Sequence, residues 1–295
     1  MNEKYYTCKY DRPFKEIMLK ESNKDILTKL LEHILGYKID EITILPTERN
    51  TRNINIKRKT FDVFIKTGNK QIGIELNSNI ENYVHPRNMA YISDMYASHI
   101  LVGKEYNEEI LMLQINLTYG IEKSDKKLIR KYYVQDEEGK KFVKNFEIIE
   151  VNMDSYMDLW YNKNRKELEK NKIILMLGLG KDELKELSQN DKVVSKYMDE
   201  LDKLNRSTLF REYMTEEEDK RKILNSRIKE AEKQGIQRGI QKGIQKGIQQ
   251  GIQQGIENNK IEIAKNMLNK NMKINVISEI TGLTKEEIEK IVIEK

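Results

Sequence analysis

Apolar residues in the first part of the chain recur at two different spacings, and the change between them marks out the elements. Phe14, Ile17 and Met18, and then Ile26, Leu27, Leu30, Leu31, Ile34 and Leu35, repeat every three or four positions, the spacing that lines one face of a helix. A pair of helices is predicted, the second capped by Ser22 or Asn23 and stopped at Gly36. Runs at 42–45, 60–66, 71–77, 110–117, 131–135 and 142–153 are rich in β-branched and aromatic residues and read as strands. Between the third and fourth runs, Pro86 opens a helix whose Met89, Ile92, Tyr96 and Ile100 share one face. A helix pair, then strands, one helix and more strands predicts an α/β arrangement with a central sheet.

After residue 155 the strand pattern disappears. Residues 156–234 read as charged amphipathic helices, 235–256 as a strict tetrad repeat and 257–295 as a small apolar-patterned tail. The main boundary is therefore expected near 155, with a weaker one near 235. In the repeat, Gly235, Gly239, Gly243, Gly247, Gly251 and Gly255 are each followed by isoleucine. On a helix a four-residue step advances ~400°, so the isoleucine stripe drifts by ~40° per repeat and is no heptad seam. Each interior glycine costs about 1 kcal/mol relative to alanine. The repeat reads either as a semi-flexible spacer or as a glycine-faced helix that makes a homo-oligomer, and the spacer is the expectation. In the tail, Thr281-Gly282 separates two short helical pieces, a helix-turn-helix-like pattern. Glu286, Glu287 and Glu289 in the second piece would meet phosphates, so protein contact is expected there ahead of DNA contact.

Composition narrows the classes. At 295 residues, about two domains are expected. Cys8 is the single cysteine, which excludes a disulfide framework and a thiolate zinc cluster. No run of ~18 apolar residues occurs, and the N-terminus lacks the apolar stretch of a signal peptide, so a cytoplasmic protein without a membrane partner is expected. The net charge of +5 permits a nucleic-acid partner without requiring one. His33 and His99 fall in helical patterns, His85 before Pro86 reads as a helix cap, and the three show no metal-ligand spacing.

The most informative stretch is 60–77. Two strand-like runs flank Gly68-Asn69, a two-residue turn of the primed type. With that pair as the loop, Thr67 faces Lys70 and Asp62 falls directly across from Glu75. Phe61, Val63, Ile65, Ile72, Ile74 and Leu76 then form a core face, and Thr60, Asp62, Phe64, Gly73, Glu75 and Asn77 the other. Opposed Cβ atoms lie ~4.5–5.5 Å apart, and like charges there destabilise the pair unless one is protonated or a cation sits between them. The acids either decorate a solvated sheet face or form a hard-oxygen site suited to Mg²⁺ or Mn²⁺, ions that activate water and offset charge on a phosphate.

Asp62, twelve intervening residues and then Glu75-Leu76-Asn77 resembles the PD-(D/E)XK nuclease signature, more narrowly that of its recombination-promoting nuclease and transposase branch. The run 11–18 resembles the opening helix of that branch, and Arg87-Asn-Met-Ala-Tyr91 its Arg/Tyr element. The helical middle, the Gly-Ile repeat and the closing segment extend the likeness over most of the chain. The resemblance implies a restriction-endonuclease-like core, a central mixed sheet flanked by helices at about 1–155, followed by an all-helical C-terminal region. It implies that Asp62, Glu75 and the backbone carbonyl of Leu76 hold Mg²⁺, with Mn²⁺ as an alternative. Asn77 stands where the superfamily usually has lysine, and is expected to hydrogen-bond the attacking water without bringing a charge. Asp11 or Glu16 supplies an acid in some relatives; a helix-surface role is expected for both here.

The implied activity is DNA endonuclease cleavage, serving recombination or transposition. Arg87, Tyr91, Arg58 and Lys59 are DNA-binding candidates, Arg87 sharing a helical face with Tyr91 and Asp94. Arg49, Arg52, Lys57, Arg130 and the lysines from 126 to 144 are either phosphate contacts, which would make binding steeply salt-dependent, or solvated surface. The leading alternative is a catalytically inactive nuclease-fold protein that acts as a DNA-binding or assembly module. A transcriptional regulator reading DNA through the tail is a third reading.

Overall fold

In the computed structural model, which describes residues 4–49, 59–99, 110–162 and 165–293, the helix pair forms as α1 (Asp11–Met18) and α2 (Lys24–Leu35) around a 3-10 turn at Glu21–Asn23. The apolar stripe of each helix is buried. Gly36 ends α2 in the left-handed region, φ 82°, and donates its N–H to the Glu32 carbonyl, the conformation that favours glycine there. Asn23 stands at the N-cap position without capping; its Nδ2 instead donates to the Ile17 carbonyl at 3.1 Å and ties the two helices together.

The strands that follow are β1 (Ile42–Ile44), β2 (Glu48–Arg49), β3 (Lys59–Thr60), β4 (Val63–Thr67), β5 (Lys70–Asn77), β6 (Leu111–Thr118), β7 (Ile129–Tyr133) and β8 (Phe146–Asn152), with α3 (Val84–His99) between β5 and β6. Six of them make one mixed sheet in the order β1-β4-β5-β6-β8-β7. β5, β6 and β8 run parallel, and the other pairings are antiparallel. β2 and β3 form a separate two-stranded ribbon whose first strand is too short to carry a periodic signal.

Both sheet faces are covered, so the acids of the hairpin do not lie on a solvated face. Val63, Ile65, Ile72, Ile74, Leu113, Ile115 and Ile149 pack against α1, α2 and three later helices, α5 (Arg165–Leu175), α6 (Lys181–Leu187) and α7 (Lys192–Arg206). α4 (Met153–Tyr161) directly follows β8. Because these helices share the sheet's core, the first compact unit extends beyond residue 155 and ends at Glu212. The opposite face carries a smaller cluster in which Phe61, Phe64 and Met112 meet Ile92 and Met95 of α3.

Several expectations shift by a residue. Phe61 leaves the predicted core face: the chain departs from strand geometry between β3 and β4, and Phe61 turns to the α3 side to stack on Phe64 at 5.1 Å. On α3 the buried positions are Val84, Asn88, Ile92 and Met95, while Met89 is exposed and Ile100 lies outside the described residues. Phe142, expected in a strand, is 84% exposed in the turn that precedes β8.

The second unit spans 213–295. The Gly-Ile repeat belongs to one continuous helix, α8 (Thr208–Asn269), and space is open around the Cβ position of each of its six glycines. α9 (Ile274–Thr281) and α10 (Lys285–Ile293) follow, joined through Gly282 at φ 71°. Ala264, Ile277, Leu283 and Ile288 bury one another in a small core of their own. Glu287 is a capping group: it accepts from Thr284 N–H at 2.8 Å while its own N–H donates to Thr284 Oγ1.

Candidate active site

The β4–β5 hairpin has the register read from the sequence. Thr67 pairs with Lys70, and Phe64 with Gly73; Gly68 at φ 52° makes the turn, as the first position of a II′ turn requires. Regular pairing ends at Val63 opposite Ile74, so Asp62 sits in the bend just outside the ladder. There the two acids clasp across the strands. The Asp62 N–H donates to Glu75 Oε1 at 3.2 Å, and the Leu76 N–H donates to Asp62 Oδ2 at 2.8 Å. Asp62 and Glu75 are 7% and 3% exposed. The space left by Gly73 is taken by the Phe61 ring: a Cβ on it would stand 2.6 Å from Phe61 Cε1.

A cation flanks each acid. Lys15 of α1 places Nζ 2.9 Å from Asp62 Oδ1 and 3.0 Å from Asp11 Oδ1. Arg87 of α3 lies 3.7 Å from Glu75 Oε2, donates to Asn77 Oδ1 at 2.5 Å, and rests over the Tyr91 ring at 5.9 Å. Tyr91 in turn meets Phe61 edge-on at 5.4 Å. Burial and the nearby Asp11 charge lift the Asp62 carboxyl to about 6. Burial, and then the charge of Asp62, push Glu75 well above the usual carboxylate range, with Arg87 opposing. Burial works against the Lys15 ammonium, but Asp62 and Asp11 outweigh it and hold its pKa above the ordinary value. The hairpin therefore concentrates negative charge that two side-chain cations only partly offset. Two buried carboxylates of this kind are hard oxygen donors that fit a small divalent cation.

Asn77 is buried beside the acids with both ends of its amide engaged, Oδ1 by Arg87 and Nδ2 by Thr118 Oγ1 at 3.1 Å. The Leu76 side chain faces the apolar core. Polar contacts continue from Thr118 to Glu150 Oε1 at 3.4 Å, and from Glu150 to His85 Nε2 at 3.2 Å and Tyr132 OH at 3.1 Å. His85 thus lies inside α3 paired with a carboxylate, where the sequence suggested a cap. Asp11 is partnered with Lys15 and Glu16 with Arg12 on the α1 surface. Lys59 opens β3 opposite Arg49, and Arg52, Lys57 and Arg58 lie outside the described residues. Sequence reasoning missed Lys15, Thr118 and Glu150. Lys15 falls on the polar side of an amphipathic helix, and helical spacing carries no sign of the acid it reaches.

Residues 8–242 match the PD-(D/E)XK nuclease family transposase, and residues 257–292 match the C-terminal HTH domain of the Rpn/YhgA-like nuclease family. No curated protein and no solved structure matches the chain. No helix among the described residues is long and apolar enough to cross a membrane. The match across most of the chain, with Asp62 and Glu75 clasped on a mixed sheet, places this protein in the PD-(D/E)XK nuclease family of transposases.

Proposed function

We propose that the protein is a divalent-metal-dependent DNA endonuclease, with Asp62, Glu75 and the backbone carbonyl of Leu76 as the metal-holding set and Mg²⁺ or Mn²⁺ as the ion. The observation that carries this reading is the reciprocal clasp of two buried acids whose carboxyls are both raised by burial and by neighbouring negative charge. When bound, the metal supplies an activated water and charge neutralisation at the scissile phosphate.

The protein's own groups do the positioning. Lys15 supplies, from α1, a cation of the kind that Asn77 does not bring, and its ammonium donates beside Asp62. Arg87 stands on the Glu75 side, fixed by Asn77, where a guanidinium suits a phosphate oxygen. Asn77 serves as a positioning residue for Arg87, with Thr118 behind it. DNA is the substrate and partner, and recombination or transposition is the process this cleavage would serve.

Plasmid cleavage with Mg²⁺ and with Mn²⁺ tests the reading, wild type beside Asp62→Ala and Glu75→Ala. Nicking that both substitutions abolish supports it; cleavage unchanged in either variant rejects the assignment. The inactive-scaffold reading keeps one supporting observation, asparagine at 77 in place of lysine. That reading predicts DNA binding with no metal effect on melting temperature.

A further inference from the structure

A cavity of about 800 Å³ opens beyond the carboxyl ends of β6 and β8, the edge at which open α/β sheets receive ligands. Tyr119, the residue after β6, forms one wall and packs into the main apolar core, away from the face that carries Thr118 and Asn77. Met157 and Tyr161 of α4, Gly178, Lys9 and Lys123 are among the other lining residues, with Glu122, Asp154 and Asp158 as the acids.

Three polar groups at this cavity are uncommitted. The Tyr119 hydroxyl is buried and has no hydrogen-bond partner among the described residues, a state that buried hydroxyls rarely keep. It lies 3.0 Å from the Cβ position of Gly178, and Met157 Sδ lies 2.6 Å from that same position. The hydroxyl is thus directly behind two residues of the cavity wall. The Lys9 ammonium stands 5.0 Å from the centroid of the Tyr119 ring, and neither Lys9 nor Lys123 forms an ion pair among the described residues. The other charges have partners: Lys126 pairs with Asp158 at 2.8 Å, Asp154 Oδ2 accepts from the Gly120 N–H at 2.5 Å, and Glu122 Oε2 accepts from Ser124 Oγ at 3.2 Å. Tyr161 leaves 65% of its surface exposed at the rim.

We propose that this cavity is a nucleotide subsite. Tyr161 and the thioether of Met157 offer a platform for a base, since aromatic stacking accepts any base. Lys9 and Lys123 are the cations for its phosphate. The Asp154 oxygen not engaged by Gly120 is available to the polar edge of the base. Two sources carry this chemistry, a free deoxynucleotide and a nucleotide within a DNA strand crossing the same sheet edge. The second source rests on the proposed nuclease function. It has geometric support, because the Tyr119 N–H donates to the Asn77 carbonyl at 2.9 Å and so joins the cavity wall to the acid-bearing end of β5.

The test is calorimetric titration of the full chain in EDTA, so that no cleavage enters the readout, with deoxyadenosine monophosphate and with a five-nucleotide single-stranded DNA as probes. Saturable binding is expected, weakened at least tenfold by the Lys9→Ala/Lys123→Ala double substitution and by Tyr161→Ala, all on exposed side chains. Gly178→Ala is an independent check, since its methyl displaces the flexible Met157 side chain and weakens binding in the same way. Binding of the mononucleotide identifies the free-nucleotide source, and binding of the oligonucleotide alone the strand source. Absence of saturable binding, or equal affinity in every variant, overturns the proposal, whereas inactivity on plasmid would overturn only the nuclease reading.

Discussion

Lys15 Nζ lies 2.9 Å from Asp62 Oδ1, bridging a helix near the start of the chain to the first acid of the hairpin. The contact brings a cation to a site whose sequence motif has asparagine at the position where lysine is usual. Removing a group that orients a metal ligand typically costs 10–100-fold in metal affinity or activity. Lys15→Ala is therefore expected to lower metal-dependent cleavage by about that factor, and Lys15→Met, which keeps the aliphatic stem, should lose as much. Single-turnover cleavage at saturating Mg²⁺ measures it; wild-type rates in both variants would exclude the role.

The acids also predict a pH dependence of stability. Asp62 is raised to about 6 by burial and the Asp11 charge, and Glu75 is raised by burial and the Asp62 charge. An unfolded chain titrates these groups near ~3.9 and ~4.3. The folded protein therefore binds more protons across this window, and its stability falls as pH rises. The Asp62 contribution is fully present below about pH 4 and is lost as pH climbs through about 6, and the Glu75 contribution likewise falls as pH rises. In EDTA, the melting temperature should fall from about pH 5 to about pH 7 more steeply than that of Asp62→Asn. Mg²⁺ should flatten the fall, because the cation replaces the proton. Parallel curves for the two proteins in EDTA would contradict the shifts.

Gly73 is set against an aromatic ring that has nowhere to go. An added Cβ would lie 2.6 Å from Phe61 Cε1 and 3.0 Å from Gln114 Oε1, while Phe61 is fully buried between Phe64 and Tyr91. Overpacking of this kind costs about 1–3 kcal/mol. Gly73→Ala should therefore lower the urea midpoint without changing the slope. Because Phe61 adjoins Asp62, metal affinity should drop as well. An unchanged midpoint would show that the ring yields.

In α8 the glycines face open space, so alanine there adds helix propensity without a clash. Gly239→Ala, Gly243→Ala and Gly247→Ala together should stabilise the helix by roughly 2–3 kcal/mol, on ~1 kcal/mol per position. Slower amide exchange across 235–256 in the full chain is the readout. Exchange that stays as fast as in the wild type would mean that glycine is not what limits this helix.

Much of the site was legible because β-structure has a period of two. Once Gly68-Asn69 is the turn, the pairing of Phe64 with Gly73 and the nearness of Asp62 to Glu75 follow from counting. The α1 and α2 stripes and the Thr281-Gly282 break were legible for the same local reason. Counting failed where the chain leaves regular geometry: Phe61 turned to the other face at a bend, and the α3 stripe rotated enough to expose Met89.

Alternation and turn chemistry are encoded within a few residues, so the sequence alone determined the hairpin, its two acids and the helix pair. Only the tertiary structure decided which cations meet those acids, that the second sheet face is buried under α3, and that the later helices share the first core. Lys15 and Asp62 are 47 positions apart; a contact at that separation depends on how a helix docks on a sheet, and no local period carries that information.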